Sequence, residues 1–308
     1  YMATKNEKLS TRARANMLRE IITSESDPFS HSDLYDILDL CISCKACKSE
    51  CPSNVDLAKL KAEFLQQHYD LNGAPLRSKL IANISKLNAI LSIFPSFSNI
   101  FLTKKFFTVP VMKMIGFSDK RTLPALSKRS LKSLFKRLVP NGNSTSKRSV
   151  WLFADEFTNY NDSEIGIKAV RLLQKLGYSV RIADIKVSGR TYLSKGFVRK
   201  AKRLAEKNIK KLEDKISEDS PLLGIEPSAI LSFKDEYPDL FKVGDEMKEK
   251  AKKLSQNCMM IDEFLANEIR EGNISKDLFI QDKKHIKLHG HCQQKAIAST
   301  DASKTILM

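Results

Sequence analysis

The sequence is poor in acidic residues, glycine, tryptophan and long apolar runs, and each shortage excludes something. Asp and Glu number 36 against 52 Lys and Arg, giving a formal charge of +16, so the surface suits anionic rather than cationic partners. The 11 glycines form no G-x-G-x-x-G, and Gly189 and Gly196 belong to no such pattern, so no Gly-rich phosphate loop is expected. No uninterrupted apolar run reaches the roughly 18 residues that a membrane-crossing helix needs. No Ser/His/Asp nucleophile arrangement is visible. The opening Tyr1-Met-Ala-Thr-Lys-Asn-Glu-Lys is polar and charged, unlike a secretory leader. The start at Tyr1 and the stop inside a helical pattern at Thr305-Ile-Leu-Met308 read as a piece cut from a longer chain.

Cysteine is scarce too, but it is concentrated. Four of the six cysteines fall in Cys41-Ile-Ser-Cys44-Lys-Ala-Cys47-Lys-Ser-Glu-Cys51-Pro52. The spacing C-x2-C-x2-C-x3-C-P is that of bacterial ferredoxins, whose thiolates hold a 4Fe-4S cluster and whose fourth Cys ligates the second cluster of a pair. If Cys51 serves a second cluster, three further cysteines are missing, because only Cys258 and Cys292 remain. Either Cys51 closes one cluster here, or its companions lie on absent chain. Clustered cysteines without a leader argue for a reducing compartment and metal rather than disulfides. A zinc site on the same four cysteines fits less well, since zinc usually pairs C-x2-C with distant ligands.

The flanking pattern is helical. Ser10-Thr11 caps a helix to Ile22 with Ala13, Met17, Leu18 and Ile21 on its apolar face. Ser32 opens a second helix, Asp33 to Leu40, that delivers Cys41. Asp56 caps a third from Leu57 to Tyr69. Residues 1–100 therefore read as an α-helical ferredoxin-like domain. Residues 101–148 form a basic helical linker. Between Phe101 and Val150 there are twelve Lys or Arg against Asp119 alone, interleaved with apolar residues such as Phe106, Phe107, Met112 and Phe117. Short helices packed on another domain with a solvated basic face are favoured there over an anionic membrane surface. Nucleic acid is not expected, because no binding motif accompanies the charge. Pro140-Asn-Gly-Asn-Ser-Thr-Ser146 reads as a linker.

From residue 149 to 308 the pattern becomes α/β with a mainly parallel sheet. Val150–Ala154, Tyr178–Asp184, Leu222–Ile225, Met259–Ile261 and His285–Leu288 read as strands separated by helical stretches. Strand-end loops carry function in such sheets. Four stand out: Asp155–Asn159, Ser188–Lys195, Glu226–Ser228 and His289–Cys292. Cys292 with His289 and His291 is a second candidate metal group, one ligand short of a tetrahedral set. Cys258 reads as a small buried hydrophobe. Glu226 and Arg190 are expected to pair across the strand-end crevice.

The segments Tyr1–Lys8, Ser10–Asn16 and Cys41–Phe64 resemble the C-terminal half of large FAD-linked, iron–sulfur oxidoreductases of the D-lactate, glycolate and D-2-hydroxyglutarate dehydrogenase type. The resemblance implies that Cys41, Cys44 and Cys47 share a cluster with an upstream Cys and that Cys51 serves a second cluster. It implies FAD on an absent upstream domain, or on a separate flavoprotein subunit as in iron–sulfur subunits of glycolate oxidase and anaerobic glycerol-3-phosphate dehydrogenase. Electrons would pass from flavin to a quinone or other acceptor. The expected location is cytoplasmic, with peripheral contact at the inner membrane face. It also implies that residues 149–308 match a cysteine-rich repeat domain whose first Cys-Cys-Gly is here Val187-Ser188-Gly189-Arg190, so a metal in that repeat is not expected. A module of another class, holding one structural cluster, is the remaining alternative.

Overall fold

The computed structural model describes residues 5–24, 28–139, 148–280 and 284–308. The segments at 1–4 and 140–146, read above as a family match and a linker, lie outside the described residues.

Helices α1 (Thr11–Ser24), α2 (Ser32–Asp39), α3 (Ala46–Glu50) and α4 (Leu57–Asn72) surround the cysteine run. Apolar residues recur every three or four positions and meet in one core, with Leu18 and Ile21 from α1, Leu34 and Leu38 from α2, and Leu57, Phe64 and Leu65 from α4. The caps are local. Ser10 Oγ accepts from the Ala13 amide at 3.1 Å, and the Asp56 carboxylate accepts from the amides of Ala58 and Lys59. Ser32 does not cap α2; the helix begins at Ser32, with His31 as the preceding residue.

Helices α5 (Leu76–Ala82), α6 (Ile84–Leu91), α7 (Pro95–Thr103) and α8 (Lys105–Met114) follow. From α6 to α8 the chain leaves Ile90, Phe94, Phe97, Phe106 and Met114 exposed, so this arm buries little of its own apolar surface. Helix α9 (Leu131–Leu138) is different: Leu131 is wholly buried in the core of the α/β half.

That half contains β1 (Ser149–Leu152), α10 (Ser163–Lys175), β2 (Ser179–Ile182), α11 (Arg190–Ser194), α12 (Val198–Leu212), β3 (Leu222–Gly224), α13 (Pro227–Asp235), α14 (Glu246–Gln256), β4 (Cys258–Met260), α15 (Ile261–Arg270), α16 (Cys292–Ile297) and α17 (Asp301–Leu307). The four strands are parallel in the order β2-β1-β3-β4. Neighbouring side chains point to opposite faces: Leu222 joins one core layer and Leu223 the other. Cys258 lies in the first layer, 1 % exposed, as a small apolar residue.

The fifth expected strand does not form. Residues 284–290 run outside the sheet, with Ile286 and Leu288 about half exposed. Two alternating apolar residues make a strand only where a sheet face is available to cover them, and here none is. The two halves meet along α11 and the start of α12, where Tyr192, Leu193 and Phe197 enter the core of α1, α2 and α4. Gly196 permits this approach. Its φ is +76°, and a Cβ there would lie 2.2 Å from Leu65 Cβ.

Candidate metal centre

The cysteine loop runs from the end of α2, through α3, to the cap of α4. The Cys41 amide still bonds back to Leu38 O at 3.0 Å. Beyond it the backbone turns sharply, with Ser43, Lys45 and Asn54 all in the left-handed region at φ 55°, 63° and 55°. Such conformations disfavour non-glycine residues and persist only where surroundings hold them. All four cysteines are free and partly exposed.

Two sulfurs meet backbone amides. Those of Val55, Ser53 and Asn54 hold the Cys51 thiol below its usual range. Burial pushes the Cys47 thiol up, against the pull of the Leu57 amide, with Asp56, Cys41 and Cys44 adding to the rise. Lys61 is buried under the loop and donates to Cys41 O; burial pulls its ammonium down to about 8.

The α/β half grips this loop. Ser43 O accepts from Arg190 Nη2 at 2.6 Å and from Gln293 Nε2 at 2.8 Å. Arg190 Nη1 donates to Glu236 Oε1 at 2.7 Å. The Lys45 side chain is fully buried. It pairs with Asp235, with Asp56 at 2.9 Å and with Glu236 at 3.0 Å. Lys48 and Lys59 also reach Asp235. Burial alone lowers Lys45 and raises Asp235, but each is carried the other way by the opposite charges around it. The expected Arg190–Glu226 pair is corrected: Arg190 takes Glu236, while Glu226 caps α13 by accepting from the Ala229 amide. Glu236 lies one helix further along, and only the folded sheet brings it under α11.

Gln293 and Lys45 belong to this site although neither is a metal-ligand type. The one sequence signal was their position, next to Cys292 and between Cys44 and Cys47. Of the second candidate group, His291 caps α16 through Nδ1, 3.2 Å from the Gln293 amide, and Cys292 and His289 are exposed. Among the described residues no three Cys, His, Asp or Glu side chains are gathered into an arrangement that holds a metal ion by itself.

The loop sits over the crevice between β1 and β3, where the strand order reverses and ligands of such sheets bind. A cavity of about 510 Å³ opens there, lined by Cys44, Ile84, Phe117, Phe157, Ser228 and Cys292 among others, and it is largely apolar. Behind it Asp155 and Glu156 are buried at the end of β1, with burial raising them to about 6 and about 7. Glu156 accepts from both the amide and the hydroxyl of Ser188.

The chain is 27 % identical over 246 residues to D-2-hydroxyglutarate dehydrogenase of Escherichia coli, a match of 78 % of this chain and 23 % of that protein. The Haemophilus influenzae protein of the same name is 27 % identical over 68 % of this chain and 21 % of its own length. One subunit of the anaerobic glycerol-3-phosphate dehydrogenase of Escherichia coli is 24 % identical over 62 % of this chain and 48 % of that polypeptide. The chain thus spans under a quarter of the D-2-hydroxyglutarate dehydrogenases it matches. No family model and no solved structure matches it. The similarity that the cysteine run suggested is to dehydrogenases that act on hydroxyl donors.

Proposed function

We propose that this chain is the iron–sulfur, electron-carrying part of a FAD-dependent dehydrogenase of 2-hydroxyacids, with D-2-hydroxyglutarate as the substrate type. The observation that carries this is the ferredoxin-spaced run Cys41–Cys51, folded as a loop between helices and gripped by the α/β half. The donor chemistry fits a 4Fe-4S cluster. Soft thiolates are the ligands such iron prefers, and amide hydrogen bonds to sulfur, as at Cys51 and Cys47, favour the charged, metal-bound form. When bound, the cluster supplies one-electron transfer. Cys41, Cys44 and Cys47 would hold it, and Cys51 would close it or serve a neighbouring one. Arg190, Gln293 and Lys45 keep the backbone between these ligands in its left-handed turns, so the thiols are presented in one arrangement. Ile42, Ile84 and Phe117 keep one side of Cys44 apolar, which suits a neutral ring such as a quinone as acceptor.

The exposed face of α6–α8 is read as the seat of the flavin-bearing part, since it leaves large apolar side chains uncovered and the matched relatives are several times longer than this chain. No helix among the described residues is long and apolar enough to cross a membrane. Peripheral contact with an anionic bilayer is the competing use of that face. The match to one polypeptide of a glycerol-3-phosphate dehydrogenase favours, as a second reading, a separate subunit serving a flavoprotein.

Anaerobic reconstitution with iron and sulfide tests the proposal. A reducible EPR signal is expected, with about four irons per chain if Cys51 closes the cluster and a poor, unstable yield if the fourth ligand lies on absent chain, and it is lost in Cys44→Ala. Zinc bound at the same loop, with no reducible signal, would remove the electron-carrying role.

A further inference from the structure

A second cavity, of about 640 Å³, also borders α11, but no cysteine lines it. It opens at the carboxyl ends of β1 and β2, where Asn159, Tyr160, Lys186 and Val187 follow the strands, and α6 and α12 form its sides. Six cations line it: Lys86 from α6, Lys132 from α9, Lys186, and Lys200, Arg203 and Lys207 from one face of α12. Among the described residues no carboxylate lines it. None of the six has a carboxylate within 4 Å among the described residues. Asp184, close to Lys132, is held by Lys211 at 3.1 Å. Glu206, the one acid on α12, lies off the lining face. Lys132 is partly buried and spends its ammonium on Ile185 O at 2.6 Å. Asn159 is buried, with its side-chain carbonyl oxygen accepting from the Lys132 amide at 3.1 Å.

Like charges gathered in a concave site repel one another and focus a positive potential into it. At the cysteine loop Lys45, Lys48 and Lys59 each have a carboxylate, and in this cavity a counter-charge would come from outside. The cavity has the size of a small-molecule site. Beside the neutral polar residues Asn83, Ser85 and Thr191, its walls carry an apolar and aromatic part from Ile90, Val187, Leu204, Tyr160 and Tyr192. A small inorganic anion would leave those walls uncovered.

We infer that this cavity binds a nucleotide-sized organic polyphosphate, with its phosphates on the cations and its ring against Tyr160 and Leu204. Arg203 offers a planar fork to phosphate, and the lysines offer point charges. The inference does not depend on the cysteine loop holding a cluster.

Calorimetric titration of the full chain, with and without iron, tests it using ADP, adenosine, pyrophosphate and vesicles carrying phosphoinositide. ADP should bind at least about tenfold more tightly than adenosine or pyrophosphate, equally in both preparations. Lys186→Glu with Arg203→Glu should weaken ADP by at least about tenfold. Ala89→Trp, which fills the cavity without touching its charge, should weaken ADP to a similar degree. Lys168→Glu with Lys175→Glu, on the outer face of α10, should change little. Pyrophosphate binding as tightly as ADP would overturn the inference. So would equal loss in the α10 variant, binding to vesicles alone, or no binding of any probe. Loss of ADP binding only in the iron-free protein would tie the site to the cluster and overturn its independence.

Discussion

Two polar regions flank the same short helix, α11, and treat charge in opposite ways. At the cysteine loop, Lys45 and Arg190 are buried, and each faces carboxylates of α13 and its C-terminal end. In the basic cavity, six cations stand without a carboxylate among the described residues. Removing a charge from water costs several kcal/mol, and only an opposite charge in good geometry offsets it. Lys45 and Arg190 meet that cost with carboxylates, and Lys61, buried with Cys41 O as acceptor, meets it with a lowered pKa, whereas the mostly exposed cations of the cavity are free to take a ligand. The first region consequently has the marks of structure and the second those of binding, although both are basic.

The largest effect is expected for Asp235→Ala, which leaves buried Lys45 short of a partner and should cost about 3–5 kcal/mol in denaturant unfolding. Lys86→Ala, in the open cavity, should stay within about 0.5 kcal/mol. Equal losses at the two positions would end the distinction.

Next comes a buried acid whose partner is neutral. Glu156, held by Ser188, has its folded pKa raised to about 7 from an ordinary 4.5. A raised folded pKa means a contribution that is complete below about 4.5 and lost as pH rises through about 7. Glu156→Gln should therefore flatten the fall in stability over that window, where the unmodified chain loses up to about 3 kcal/mol. Asp155, raised to about 6, acts in the same direction and leaves a smaller slope behind. An unchanged slope would show that Glu156 stays charged without help.

Arg190→Met removes a charged donor from Ser43 O and should cost about 1.5–3 kcal/mol, Gln293→Ala about 1 kcal/mol. If these residues position the loop, both should also hasten iron release to a chelator after reconstitution, Arg190→Met more. Stability loss with unchanged release would leave them a purely structural role. The smallest stability effect belongs to Lys186→Glu with Arg203→Glu, within about 0.5 kcal/mol. That variant should lose polyphosphate binding while folding normally.

Much of the architecture was legible. The capping by Ser10 and Asp56, the apolar spacing of α1 and α4, and four short apolar strands between helices are local signals, and the structure carries them. The strand at His285–Leu288 misled because alternation is local, while a strand needs a neighbour. Arg190 was singled out for the right crevice with the wrong acid. Glu226 is spent within its own loop, and no local pattern records which distant carboxylate will lie under a given arginine.

The cysteine spacing, most of the helices, four of the five expected strands and the excess of positive charge are set within the linear sequence. These depend on neighbours within a few residues, where backbone geometry and periodicity rule. The tertiary structure alone decided that Ser43 O would meet Arg190 and Gln293, that Lys45 would be buried among three carboxylates, and that six scattered cations would line one cavity. Those outcomes depend on how the parallel sheet orders its strands and on where α11 docks, because long-range contacts exist only once the chain has folded.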